Sequence, residues 1–540
     1  MNSFQLNLKT FIERSARYFP ENEIISREPD DSLFRYNYAQ YYERVQKLAN
    51  VLKFLGIKKG DKIASFAWNN HRHLELYFGI PCYGAILHTV NIRYGEKEIA
   101  YAINHAEDEV VFLDKDLVPK MEAIAHKLLK VKAYVILDNT IPETSLSPVF
   151  SYESLLSSAD HTYSFEELDE NSPASICYTS ATTGLPKGIV YSHRSIYLHA
   201  SALCFTDVMG ISEHDHILPI VPMFHVCAWG IPYAAIATGA KLILPGTRPK
   251  AEDLLRLIES EKVTFSAGAV TLGIDMLTIL EEKKYNISSL RQLMLGGQAV
   301  PKALIDKYSQ KHGVPIVQGF GATETSPIVT FFHIRRDQER LSDDQKNEIR
   351  SRQGMLLPGL EMKIIDELGK EVPWDDEHMG EILVRGPWIA SEYFKDKRSS
   401  TSFIDGWWKS GDIATINEQG SIRIVDRDKD VIKSGGEWIS SVQLENELMA
   451  HPDVLEACVV AVSHEKWLER PIACILLKNK EKGTTNVEEA LVEWLTPKFP
   501  KWWLPDQFMF IEEIPKNANG KYNKNLLREI VSQSILSSPS

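Results

Sequence analysis

Apolar positions in the first half of the chain switch between two periods. The run Lys62-Ile63-Ala64-Ser65-Phe66-Ala67 reads as a strand, the stretch near Leu74 to Phe78 as a helix, and Ala85-Ile86-Leu87 as a strand again. That succession predicts βαβ units. Upstream, Tyr41, Val45, Leu48, Val51, Leu52 and Leu55 recur at helical spacing and stop at Gly56, which is a good helix terminator. Further strands are expected at Val110 to Leu113, Tyr134 to Leu137, Ala174 to Tyr178, Lys241 to Leu244 and Leu293 to Leu295. Val226 to Ala240 is nearly continuous in apolar residues but is broken by Gly230, Pro232 and Gly239, so a buried helix or pocket wall is expected rather than a membrane span. Charged residues dominate from Arg335 to Arg352, as on a solvated helix. Beyond it, Met362 to Ile365 and Glu381 to Val384 alternate between glycines and predict a small β-rich region. From Asp426 the run DRDKDVIKSGG is dense in charge and reads as a hinge over about 426–433. The expected architecture is α/β and multidomain. A large N-terminal domain of βαβ units with a β-rich subdomain covers 1–428, and a small, mobile α+β domain covers 429–540.

Composition narrows the class. A chain of 540 residues is too long for one core. Hydrophobic residues at 44% and charged residues at 25% are ordinary for a folded globular protein. With 60 basic against 73 acidic side chains the net charge is −13, which argues against a nucleic-acid partner and requires a local positive pocket for any anionic ligand. The six cysteines, Cys82, Cys177, Cys204, Cys227, Cys458 and Cys474, show no CxxC pair or zinc spacing, so reduced thiols in a cytoplasmic protein are expected. The start MNSFQLNLKTFIERSARYF lacks the apolar core of a signal peptide or anchor.

The most informative segment is Tyr178 to Gly188, YTSATTGLPKG. Ser180, Thr182, Thr183 and the backbone N–H groups around Gly184 offer donors to phosphate oxygens, and Lys187 adds a point charge. It is not a Walker A sequence, because Lys187 stands between Pro186 and Gly188. A Ser/Thr/Gly surface turn has the same composition. Its place after a strand ending at Tyr178 favours the ligand reading, since ligands in such sheets bind at the carboxyl ends of strands.

Four more segments accompany it: GGQAVP at Gly296 to Pro301, GFGATE at Gly319 to Glu324, GWWKSGDIATI carrying Asp412, and PKNANGKYNK carrying Lys521. Phe320 has a face to stack on adenine, Thr323 a hydroxyl for phosphate, and Glu324 a hard oxygen for Mg²⁺. A carboxylate such as Asp412 can accept from both ribose hydroxyls. Alone, each of these is as readily a turn or a solvated residue. Together and in this order they resemble the adenylate-forming superfamily of acyl-CoA synthetases, stand-alone adenylation domains and beetle luciferases, over nearly the whole chain. The resemblance implies ATP and AMP binding by Thr179, Ser180, Thr182, Thr183, Gly184, Gly297, Gln298, Gly319, Phe320, Gly321, Thr323, Asp412, Arg427 and Lys433. It implies catalytic roles for Lys187, Thr323, Glu324 and Lys521, with Glu324 on Mg²⁺ and Lys429 in the hinge segment.

PMFHVCAWG at Pro222 to Gly230 and SGGEWISS at Ser434 to Ser441 are similar to the medium- and long-chain fatty acyl-CoA synthetase branch. That likeness implies an acyl pocket at His225 and Trp229, with core packing as the other reading of Trp229, and a CoA site at Gly435, Gly436 and Trp438. The implied reaction forms an acyl-adenylate from ATP and then passes the acyl group to CoA. Small-molecule partners are implied, with a homodimer and peripheral membrane contact left open. Two departures stand out. Ala181 replaces a usual glycine, and Gly273 in SAGAVTLGIDML occupies a position where relatives commonly carry tryptophan and is expected to deepen the acyl pocket. A transfer to a non-CoA acceptor, a different carboxylate, or an inert nucleotide-binding protein are the alternatives.

Overall fold

The computed structural model describes residues 3–179, 185–435, 437–478, 484–516 and 522–537. Two seven-stranded sheets build the large N-terminal part. In the first, neighbouring strands run Val149–Ser151, Ala133–Ile136, Asp108–Leu113, Lys62–Phe66, Ile86–Thr89, Pro173–Thr179 and Lys187–Ser192. Every pair is parallel except the last. In the second, the order is Ile316–Val317, Gln292–Gly296, Phe265–Ala269, His216–Pro219, Lys241–Leu244, Glu23–Arg27 and Leu33–Asn37, again antiparallel only at the last pair. Such strands are covered on both faces, which is why Ile63, Ala64, Ser65 and Phe66 are all buried and the run reads as continuously apolar.

Helix His71–Tyr83 is buried along nearly its whole length. The Asn70 side chain caps it by accepting from the His73 N–H at 2.9 Å, and Gly84 ends it at φ +96°. At Gly79 it meets helix Tyr38–Phe54 so closely that a Cβ would lie 2.4 Å from Leu48 Cδ2. Asn69, just before this helix, stitches the two sheets together. Its amide donates to Pro219 O (2.9 Å) and Val221 O (2.8 Å), and its side-chain oxygen accepts from Met223 N (2.7 Å).

The strands expected from the sequence are present, and the apolar run 226–240 contributes the buried helix Ile231–Thr238. The charged segment 335–352 is broken into a 3₁₀ turn, Arg336–Gln338, and helix Asp343–Arg350. That helix is not wholly solvated, because Asn347 is buried and donates to Asp306 Oδ1 at 3.0 Å. The β-rich region is an antiparallel sheet of Glu361–Ile365, Gly380–Arg385, Trp407–Ile416, Phe403–Ile404 and Ile422–Arg427.

The C-terminal part of the chain forms a smaller α+β domain. Its sheet joins Glu437–Ile439, Ile432–Ser434, Leu468–Leu477, Val454–His464 and Gln507–Phe510, with helices Ser441–Ala450, Thr484–Leu495 and Lys524–Ser537. This part has its own cores, one around Ile432, Leu444, Val459 and Leu491 and one around Cys458, Ile514 and Leu527. No helix among the described residues is long and apolar enough to cross a membrane.

Candidate functional site

Strands Pro173–Thr179 and Lys187–Ser192 form a hairpin in which Thr179 faces Lys187. Thr179 Oγ1 is buried without a hydrogen-bond partner among the described residues, so the turn end of this hairpin offers a polar atom to a ligand. Ser180, Ala181, Thr182, Thr183 and Gly184 lie outside the described residues, as do Gly436 and Lys521. The hairpin is gripped from one side by residues 393–398: Phe394 N donates to Gly188 O at 2.8 Å, and Arg398 donates to Leu185 O at 3.2 Å.

Lys187 points its ammonium towards Glu324, with Nζ 3.8 Å from Oε1, and stacks over the Tyr393 ring at 3.9 Å. The Tyr393 hydroxyl donates to the same Glu324 oxygen at 2.9 Å, and Glu324 is buried. Burial lowers the Lys187 pKa from its ordinary value, and Glu324 opposes that shift. Burial also keeps the Tyr393 phenol protonated, with the Glu324 charge adding to the effect. Thr323 beside it is fixed through its carbonyl, which accepts from Tyr191 Oη at 2.6 Å.

Across the site, Asp412 and Arg427 are register partners on adjacent strands, with Nε and Oδ1 3.2 Å apart. The Asp412 carboxylate raises the Arg427 pKa further, so the guanidinium is held permanently charged. Between them and the GFGATE segment lies a cavity of about 270 Å³. Gly297, Gln298, Gly319, Phe320, Gly321, Asp412 and Arg427 line it, and so do Gln353, Tyr522 and Lys524, which the sequence reading did not single out. Gly297 has φ +90°, which favours glycine, whereas Gly319 and Gly321 are there for close approach. A Cβ on Gly321 would lie 2.0 Å from Pro327 O, and one on Gly319 2.3 Å from Thr330 O. Gly321→Ala is therefore expected to destabilise the protein by about 1–3 kcal/mol through overpacking, read as a lowered urea midpoint.

A second, apolar cleft of about 40 Å³ is lined by Val221, Pro222, His225, Trp229, Ala269, Val270 and Thr271, together with Gly296, Gly297 and Gln298. Gly297 and Gln298 line both spaces, so the cleft and the nucleotide-sized cavity adjoin at these two residues. Trp229 ends a left-handed turn in which Val226, Cys227, Ala228 and Trp229 have φ between +46° and +56°. Each such residue costs about 1–2 kcal/mol relative to the right-handed form. The indole stands over Gly296, where a Cβ would meet Trp229 Cη2 at 2.9 Å. In the same turn, Cys227 Sγ is 3.5 Å from Cys177 Sγ, so two of the scattered cysteines meet without a bond. Gly273 lies further along helix Val270–Glu282 and is not among the residues that line the cleft: its carbonyl accepts from Tyr308 Oη at 2.7 Å, and a Cβ would meet Leu295 Cδ1 at 2.6 Å.

Lys433, Gly435 and Trp438 come together on a hairpin of the C-terminal domain, with Lys433 opposite Trp438. Lys433 Nζ is 3.5 Å from Asp428 Oδ1 and does not line the nucleotide-sized cavity. Gly435 has φ +64° and donates from its N–H to Trp467 O at 2.9 Å. Among the described residues no three carboxylates, histidines or cysteines gather as a metal site. A Mg²⁺ ion that rests mainly on substrate phosphates and water needs only one or two carboxylates, and Glu324 fits that donor set.

Comparison with known proteins gives one consistent result. The AMP-binding enzyme family matches residues 12–394, and the AMP-binding enzyme C-terminal domain matches residues 443–521. A long-chain-fatty-acid–CoA ligase of Thermus thermophilus is 43% identical over 97% of this chain and 95% of its own length. A medium-chain-fatty-acid–CoA ligase of Ectopseudomonas oleovorans is 39% identical over 99% and 98%. Among solved structures, an anthranilate CoA ligase in complex with anthranoyl-AMP superimposes with TM-score 0.88 at 25% identity, covering 98% of both chains.

Proposed function

The chain belongs to the AMP-binding enzyme family, and from that premise we propose that it is an AMP-forming acid–thiol ligase that joins a medium- or long-chain fatty acid to CoA. A carboxylate oxygen attacks the α-phosphorus of ATP, pyrophosphate leaves, and the CoA sulfur then attacks the acyl carbon and releases AMP. The observation that carries this reading is the junction of two spaces at Gly297 and Gln298. An apolar cleft there delivers a carboxylate to a cavity that offers Asp412 and Arg427 to a ribose and Phe320 to a base.

The remaining roles follow from the same geometry. Thr179, with its unsatisfied hydroxyl, and Lys187 hold phosphate oxygens together with Ser180, Thr182, Thr183 and Gly184. Glu324 holds Mg²⁺, which when bound offsets phosphate charge. Thr323 adds a hydroxyl beside it. Lys521, on the segment ending at cavity-lining Tyr522, serves adenylate formation. His225 and Trp229 form the mouth of the acyl pocket, and the indole must leave Gly296 for a fatty chain to enter, because 40 Å³ does not accommodate one. Gly435, Gly436 and Trp438 receive CoA. Catalysis is positioning and charge stabilisation, with no covalent protein nucleophile. The domain division falls at 428/429, the compartment is the cytoplasm, and the homodimer belongs to the same proposal.

ATP–pyrophosphate exchange with carboxylates from acetate to palmitate, followed by CoA and mass spectrometry, tests the reading. Exchange that peaks with medium or long chains and yields acyl-CoA is expected. Exchange with no carboxylate, or acyl transfer without CoA, would overturn it.

A further inference from the structure

Around the join between the two domains sits a chain of buried polar groups that no step above uses. Asp426, 3% exposed, is the residue before Arg427 and belongs to the last strand of the N-terminal part. Its Oδ2 accepts from the Ser441 N–H at 2.9 Å and from the Ser441 hydroxyl. The same hydroxyl accepts from Lys524 Nζ, and that ammonium also lies 2.7 Å from Glu445 Oε1. Ser440 adds a bond from its hydroxyl to Val425 O at 2.6 Å. One turn further along the last helix, Arg528 donates to Lys429 O at 3.2 Å and pairs with Asp430 at 2.5 Å.

The connectivity gives the cluster its meaning. Asp426 precedes the 428–431 link, whereas Ser441, Glu445 and Lys524 all follow it. A hydrogen bond between Asp426 and Ser441 therefore exists only in one orientation of the two domains. Lys524 begins the helix three residues after Lys521, and both Tyr522 and Lys524 line the nucleotide-sized cavity. Among the described residues, the Ser441 hydroxyl links the strand that carries Arg427 to the helix that Lys524 opens. Parting the domains would cost the Asp426 carboxylate both Ser441 donors and leave it the Arg427 N–H at 2.9 Å and water, so the closed orientation gains two charge-assisted hydrogen bonds.

We propose that Asp426, Ser441 and Lys524 form a latch that holds the C-terminal domain closed over the nucleotide cavity and so positions Lys521 for adenylate formation. The proposal rests on the ligase reading above. Ser441 is a positioning residue, since it touches neither cavity nor substrate.

Full-length Ser441→Ala, Lys524→Met and Lys524→Arg are compared in two ways. Trypsin cleavage after Arg427, Lys429 or Lys433 in the presence of ATP reports how closed the join is. Pyrophosphate release and thioester formation from preformed acyl-adenylate report the two half-reactions separately. Ser441→Ala is expected to raise the cleavage rate and slow adenylate formation by about tenfold each, the scale of one hydrogen bond to charged groups. Its thioester step should stay within about twofold of wild type on the same scale. Lys524→Met should lose more adenylate formation, and Lys524→Arg should recover most of it. Unchanged cleavage, or equal loss in both half-reactions, overturns the latch. If Lys524→Met does not fold, Ser441→Ala decides alone, because it deletes one hydroxyl. A wild type that makes no adenylate with any carboxylate sinks the ligase reading instead, and the cleavage rates still judge the latch.

Discussion

Lys521→Ala is expected to slow adenylate formation by about 10²–10³-fold while thioester formation from preformed acyl-adenylate falls no more than a few-fold. The size is that of one preorganised charge donor removed from a site that offsets developing phosphate charge, about 3–4 kcal/mol. The asymmetry follows from which step builds that charge. Attack on the α-phosphorus expels pyrophosphate and spreads negative charge over phosphate oxygens, whereas thiol attack at the acyl carbon leaves those oxygens unchanged. Tyr522, the next residue, lines the nucleotide-sized cavity. Rapid-quench measurement of each half-reaction decides the matter. Equal losses would assign Lys521 a general stabilising role, which a matching fall in melting temperature would corroborate.

Most of the chemistry was legible in the sequence because it resides in short contiguous segments. Lys187, Glu324, Asp412 and Arg427 were each marked by their immediate neighbours; the fold sets Lys187 against Glu324 and pairs Asp412 with Arg427, the last two on the wall of the nucleotide-sized cavity. What escaped notice depends on residues distant in the chain. Tyr393 reaches Glu324 from 69 positions away, and Gln353 enters the cavity wall through bonds to Ile424 N (2.7 Å) and Gln318 Oε1 (3.0 Å). Neither carries a local signature. Lys524 is three residues beyond Lys521, but a lysine opening a terminal helix ordinarily reads as solvated.

The βαβ alternation predicted parallel sheets without revealing that there are two. A strand covered on both faces reads the same whichever sheet it joins, and Glu23–Arg27 pairs with Lys241–Leu244 more than two hundred residues away. The left-handed turn at Val226–Trp229 was illegible for a different reason: positive φ is read from glycine, and none of these four residues is one. At Gly273 the absence of a side chain suggested open space, but Leu295 fills it. A glycine in a helix interior marks close packing as readily as a cavity.

Glu324→Gln should reduce adenylate formation by about 10²–10³-fold and raise the Mg²⁺ concentration needed for half-maximal rate. The substitution keeps volume and leaves an oxygen to accept from Tyr393 Oη, so the 2.9 Å bond and the packing around it survive. What disappears is the charge. Glu324 is buried and faces Lys187 at 3.8 Å, so its loss removes both the hard anionic ligand a Mg²⁺ ion needs and the counter-charge that supports a buried ammonium. Lys187→Met separates the two effects, since it deletes the ammonium and leaves the carboxylate. If Glu324 acts mainly through the metal, Glu324→Gln shifts the Mg²⁺ titration and Lys187→Met does not. If it acts mainly by holding Lys187, both variants lower the rate at saturating Mg²⁺, and the double variant loses no more than the worse single one. A Glu324→Gln protein with wild-type rate and an unshifted Mg²⁺ titration would leave the carboxylate only its bond to Tyr393.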